Sequence, residues 1–138
     1  MDVGAYMPKV AICCVCSRKY LPQAMTMIWS LRRLSENYSY HVFLSDLTAG
    51  NGGELIKANP DVEFNFIDQY ADAEILVNAL TLNDLEFNTS LKAVALSITL
   101  KRYRRTTFYC DSDLYFLAEP LLAVKMLEEA SGVITPHQ

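Results

Sequence analysis

Residues 10–16 read VAICCVC, seven apolar side chains without a polar interruption. A strand with one wet face alternates, whereas a strand covered on both faces need not, so this run predicts a strand buried inside a parallel sheet. The next segments continue the pattern. SRKYLP (17–22) is a connection whose Pro22 suits the first turn of a helix. Ala24, Met25, Ile28, Leu31 and Leu34 then recur at helical spacing, with Arg32 and Arg33 near the end where the helix dipole favours cations. YHVFLSD (40–46) predicts a second strand. VEFNFID (62–68) sets Val62, Phe64 and Phe66 against Glu63 and Asn65, as expected of a third strand with a wetter face near the sheet edge. Residues 71–80 predict a short helix. Residues 87–103 predict a longer one, marked by Phe87, Leu91, Val94, Ala95, Ile98 and Tyr103. TTFYC (106–110) is a fourth strand, a helix is expected from Pro120 to about Ser131, and GVITPHQ (132–138) is expected to close the chain as a fifth strand. Strands alternating with helices give an α/β fold: a mostly parallel, Rossmann-like sheet with helices on both faces.

Size and charge narrow the function. A chain of 138 residues makes one domain with a real core. Its 51% hydrophobic and 20% charged content is that of a folded globular protein and excludes disorder. A net charge of −4 leaves no overall electrostatic footprint for nucleic acid. The local cluster Lys101, Arg102, Arg104 and Arg105 reads as favourable charge at a helix C-terminus. Cys13, Cys14, Cys16 and Cys110 lack the paired spacing of a zinc site and are expected as reduced core residues of a cytoplasmic protein. MDVGAYMPKV (1–10) has no basic region leading into a long apolar segment, and no run approaches the ~18 residues of a membrane span. The expected location is the cytoplasm, either free or peripheral to the membrane. The Asn-x-Ser sequences at Asn37 and Asn88 carry meaning only in a secreted chain. The glycines of TAGNGG (48–53) lack the order of a dinucleotide fingerprint and the lysine of a phosphate loop, so a flexible connection is expected there.

The chemistry concentrates in TTFYCDSDLYF (106–116). Asp111 and Asp113 sit one residue apart among apolar and aromatic neighbours, at the end of the fourth strand. Two close carboxylates repel and need a cation or a shared proton. A divalent metal with oxygen ligands, Mg²⁺ or Mn²⁺, answers that need and takes its remaining ligands from substrate phosphates. The tripeptide alone arises by chance in roughly a third of chains this long, so its position carries the weight. In parallel sheets, ligands bind beyond the carboxyl ends of the strands. Ser17, Arg18, Asp46 and Asp68 also end strands there, although Asp46 and Asp68 read more simply as loop caps. A phosphatase of the haloacid dehalogenase type would need its Asp pair on the first strand and a Thr where Tyr115 stands, and a receiver domain would need acids where CCVCSRK stands.

Three stretches carry a family likeness: AICCVCSRKYLPQAMTMIWSLRR (11–33), FNTSLKAVAL (87–96) and FYCDSDLYFLAEPLLAVKMLEEASGVITPHQ (108–138). Together they resemble the N-terminal, nucleotide-binding half of bacterial GT-A glycosyltransferases, particularly those related to glycosyltransferase family 8. The resemblance implies a sheet that binds a UDP-sugar donor at its C-terminal edge. It implies that Asp113 binds the metal and that Asp111 contacts the metal or the ribose. Cys16, Ser17 and Tyr20 would border the base and ribose, with Tyr20 stacking on the base, and Lys92 would reach the phosphates or the sugar. His137 reads as a terminal-strand residue rather than a ligand.

The family's second half, which holds the acceptor and usually a further metal ligand, has no counterpart before Gln138. The chain therefore reads as a truncated product or one half of a split enzyme, with an apolar flank open to self-association. Two readings follow: a glycosyltransferase domain that binds its donor, or a non-catalytic α/β module that binds a nucleotide or a partner chain. The sugar and the acceptor are not identified by any residue pattern, nor are the catalytic residues.

Overall fold

The computed structural model of the chain describes residues 10–132. Four strands, β1 (Val10–Cys16), β2 (Tyr38–Leu44), β3 (Val62–Asn65) and β4 (Thr106–Tyr109), form a parallel sheet in the order β3-β2-β1-β4. β1 pairs along its whole length with β2, while only Val10–Cys13 pairs with β4. Every residue of β1 is buried, which is why its sequence shows no alternation.

Alternate residues of β1 nevertheless face different helices. Ile12, Cys14 and Cys16 share a core layer with Ala24, Met27, Ile28 and Leu31 of α1 (Leu21–Arg32). Cys13 and Val15 pack in the opposite layer with Phe43 and with Phe87, Leu91 and Ala95 of α5 (Asp84–Tyr103). The fold is thus α/β, Rossmann-like, with helices on both faces. Leu91 is 1% exposed, and burying such a side chain stabilises by about 1.5–3 kcal/mol.

α5 begins at Asp84, earlier than its apolar spacing suggests, because a capping box starts it. Asn83 Oδ1 accepts the Glu86 N–H at 3.0 Å, and Glu86 Oε2 accepts the Asn83 N–H at 3.1 Å. Its buried residues, Phe87, Leu91, Ala95 and Thr99, fall every fourth position and form one stripe. The helix ends at Arg104, the one non-glycine residue with positive φ (48°) among the described residues, whose N–H still bonds to Leu100 O. Two residues later the chain runs back as β4.

Several expectations change. Residues 48–53 are not an open flexible connection: Ala49–Asn51 form a 3₁₀ turn, Gly52 is buried under the Phe66 ring, and Gly53 starts α2 (Gly53–Ala58). β3 stops at Asn65 rather than Asp68, because the Phe66 N–H bonds to the Gln69 side chain and the short α3 (Ile67–Tyr70) follows. α4 (Ala73–Thr81) matches the short helix expected at 71–80. The last helix, α6 (Leu121–Met126), ends well before Ser131, since the hydrogen bonds of Glu128 and Glu129 reach back three residues instead of four. The expected fifth strand lies outside the described residues except for Gly132, which is in no regular element.

β3 does lie at the sheet edge, and its polar face is engaged. Arg102 and Tyr103, in the last turn of α5, both donate to Glu63, and Arg102 Nη1 also donates to Asn65 Oδ1 at 2.9 Å. His41 of β2, directly across from Glu63, is 4% exposed and lies 4.4 Å from the Tyr103 ring, centroid to centroid. No helix among the described residues is long and apolar enough to cross a membrane.

Candidate functional site

The strand order fixes where a ligand can enter. The chain leaves β1 through α1 toward β2 and β3, then returns through α5 to place β4 on the other side of β1. The switch point of the sheet is therefore between β1 and β4, and the loops beyond their carboxyl ends diverge there. β4 also stops short: Tyr109 pairs with Cys13, so Cys14, Val15 and Cys16 extend past it. Cys110 makes one more contact, donating its N–H to Cys13 O at 2.9 Å, and then the chain peels away.

The result is a cleft of about 800 Å³, within the ordinary range for a small-molecule site. All six residues singled out from the sequence line it: Cys16, Ser17, Tyr20, Lys92, Asp111 and Asp113. A smaller cleft of about 550 Å³ lies between α4 and α5, but it contains Asp72 and Glu74 without a cation and none of the strand-end residues.

Lys92 and Asp111 meet in the wall of the larger cleft. Lys92 Nζ lies 2.6 Å from Asp111 Oδ1, with the two side chains 40% and 43% exposed. The ammonium also sits 5.4 Å from the centre of the Tyr109 ring. An ion pair this well solvated contributes at most about 1 kcal/mol to stability, so it orients the groups more than it holds the fold. Leu91 and Ala95, buried on either side of Lys92 in sequence, fix the helix beneath it. Asp113 is exposed, and among the described residues it has no ion-pair partner.

The loop that carries the Asp pair is irregular yet tied down. The Leu114 N–H turns back to Asp111 O at 3.3 Å, the Phe116 N–H bonds to Ser30 Oγ of α1 at 2.9 Å, and the Tyr38 hydroxyl donates to Glu119 at 2.9 Å.

On the β1 side, Cys16 is buried, and its carbonyl accepts the Ser45 N–H at 3.1 Å. Burial, reinforced by the Asp46 charge, pushes the Cys16 thiol up to about 12, so it lines the cleft as a neutral group. Ser17 opens a 3₁₀ turn (Arg18–Tyr20), and its carbonyl accepts the Tyr20 N–H at 3.0 Å. Tyr20 is 47% exposed and presents its ring beside Lys19, whose Nζ is 5.4 Å from the ring centre. Asp46 caps this turn, accepting the Arg18 N–H at 2.7 Å, and also lines the cleft. Asp68 accepts the Ala49 N–H at 2.9 Å and is not among the lining residues.

Sequence reading passed over part of the α5 wall. Asp84, Asn88 and Lys92 line the cleft four residues apart, and Asn88 Oδ1 accepts the Ser45 hydroxyl at 2.8 Å, tying α5 to the end of β2. That spacing was the available signal, because residues four apart on a helix share a face. Tyr109 was also missed as a wall residue. Its hydroxyl accepts the Val15 N–H at 3.4 Å, and burial raises its pKa strongly, so it stays a phenol.

The donor set suits a hard divalent cation only in company. Asp111 and Asp113 supply oxygen ligands, and among the described residues no three His, Cys, Asp or Glu side chains converge to enclose a metal. One or two carboxylates completed by water and by ligand phosphates is an ordinary Mg²⁺ arrangement, so the residues fit a cation brought or completed by a phosphorylated ligand. The cleft thus brings the Lys92 ammonium, the Asp111 and Asp113 carboxylates and the exposed Tyr20 ring to one place, with Asp46 and Asp84 also in its walls. No protein-family model matches the chain, and no curated protein sequence matches it significantly.

Proposed function

We propose that the chain is the donor-binding part of a glycosyltransferase, holding a nucleotide-sugar, with UDP as the nucleotide, in the cleft between the ends of β1 and β4. The observation that carries this reading is the meeting of Lys92, Asp111, Asp113 and Tyr20 around one cleft at the switch point of a parallel sheet. Each group answers a different part of such a ligand. Tyr20 offers a π face to the base, and Ser17 with the end of β1 at Cys16 borders the ribose. Lys92 meets the phosphate charge. Asp111 and Asp113 would hold a divalent cation, Mg²⁺ or Mn²⁺, beside the phosphates. When bound, that cation neutralises charge developing on a diphosphate leaving group.

Calorimetric titration of UDP into the chain, with Mn²⁺ and then with chelator, tests the reading. The expected result is metal-dependent binding that weakens at least tenfold in Asp113→Ala. UDP affinity that is indifferent to both chelator and substitution would sink it.

A further inference from the structure

The Lys92–Asp111 ion pair has a consequence beyond orientation. We infer that Lys92 couples cation and diphosphate: it occupies Asp111 until a diphosphate draws it away, so the two ligands bind better together than separately. This inference rests on the proposed donor site.

Without a ligand, one carboxylate of the pair is already engaged. Lys92 Nζ takes Asp111 Oδ1 at 2.6 Å, while Asp113 has no ion-pair partner among the described residues. At the Asp111–Asp113 pair, a divalent cation entering alone finds one carboxylate without an ion-pair partner and one already neutralised. To use Asp111 it must sit within a few ångströms of an ammonium, and like charges that close repel appreciably even when partly solvated. The backbone cannot relieve this, because Leu91 and Ala95 bury the same turn of α5 against the sheet. The lysine stem can. Lys92 is 40% exposed at its side chain, and its flexible stem lets the ammonium swing off Asp111 toward any anion in the cleft. A diphosphate is such an anion. It gives the ammonium a new partner and frees Asp111 for the cation in the same exchange. Each ligand thereby lowers the cost of the other, and by linkage the effect is reciprocal.

A merely structural lysine would lower both affinities or neither, whereas this role predicts opposite signs. Mn²⁺ binding is measured by electron paramagnetic resonance, and UDP binding by calorimetry, for the wild type, Lys92→Met and Lys92→Arg, each with and without the other ligand. Lys92→Met should bind Mn²⁺ alone roughly five- to twentyfold more tightly than wild type, since the competing charge is gone. It should bind UDP in the presence of Mn²⁺ more weakly, and the enhancement of one ligand by the other should shrink at least fivefold. Lys92→Arg keeps the charge and should retain most of the coupling. Lys19→Met removes the cation beside Tyr20 and should leave Mn²⁺ affinity unchanged. If Lys92→Met binds Mn²⁺ no better than wild type while UDP and Mn²⁺ still bind together, the coupling role of Lys92 is wrong and the donor site stands. If neither wild type nor Lys92→Arg binds UDP with Mn²⁺, the donor-site reading is overturned and the coupling role with it.

Discussion

Gly52 lies in a glycine-rich stretch that invites a phosphate-loop reading, yet the structure gives it a different task. A Cβ placed on Gly52 would lie 2.1 and 2.2 Å from two carbons of the Phe66 ring, where ordinary contacts are 3.4–4 Å. Phe66 is 1% exposed and sits in the core layer beneath α1, and Gln69 holds its backbone N–H. The ring therefore has little free space into which to swing, and Gly52→Ala must displace it by more than 1 Å. Overpacking of this kind costs about 1–3 kcal/mol, and the severity of the overlap points to the upper half. Backbone conformation is not the cause, because Gly52 has an ordinary φ of −99°. Gly53, its neighbour, has nothing within 4 Å of where an alanine methyl would stand, so Gly53→Ala should be neutral or stabilising by a few tenths of a kcal/mol. Urea unfolding of the two variants, compared at equal slope, reads the difference directly. Gly52→Ala combined with Phe66→Leu should recover part of the loss relative to Phe66→Leu alone. Equal midpoints for Gly52→Ala and Gly53→Ala would refute the packing argument. A loss of nucleotide affinity in Gly52→Ala without loss of stability would instead return the glycines to a ligand-binding role.

Two further outcomes follow from buried titratable groups. Burial holds the His41 imidazole below its ordinary 6.5; Glu63 pulls the other way, while Arg102 and Arg105 add to the depression. The unfolded chain then takes up its proton at higher pH than the folded one, so stability is fully present above about 6.5 and should decline as pH falls through the folded value. His41→Gln should flatten that decline between pH 7 and 5 in urea titrations; an unchanged slope would remove His41 as its source. Burial also pushes the Cys13, Cys16 and Cys110 thiols up to about 12 and raises Cys14 well above its ordinary range. All four cysteines are free and buried, so a thiol-reactive disulfide should label none at pH 8 in the folded protein and all four in urea. Rapid labelling without denaturant would contradict that burial.

The legible parts of the fold are those with a full period or a full run. VAICCVC could be read because both faces of β1 are covered, and α5 could be read because its stripe repeats over many turns. α2, α3 and the shortened α6 span six, four and six residues, too few to show a period above the local composition. Their boundaries depend on hydrogen bonds such as Phe66 to Gln69, which spacing does not reveal. The site divides the same way. Residues at strand ends were found because a parallel sheet sends them all to one edge, but that rule alone does not separate Asp46, which lines the cleft, from Asp68, which does not. The separation comes from strand order, since β3 lies two strands away from the β1–β4 gap. Asn88 and Asp84 were missed for a related reason. Their shared face is visible in the sequence, but what that face looks onto is decided only when α5 packs over β1 and β4.

The left-handed turn at Arg104 makes α5 and β4 the two arms of a ruler folded at one end. From Lys92 to Tyr103 the helix climbs about 16 Å, and from Thr106 to Asp111 an extended chain covers about the same distance in fewer than half as many steps. The arms finish level, which is how an ammonium and a carboxylate nineteen positions apart in sequence come to touch. Equal reach is a stringent demand on length. Removing one residue from the helical arm would swing Lys92 about 100° around the axis, and removing one from the extended arm would draw Asp111 back by about 3.3 Å. Substitutions along either arm can be absorbed, but insertions and deletions between positions 92 and 111 would uncouple the cleft while leaving each arm individually well formed.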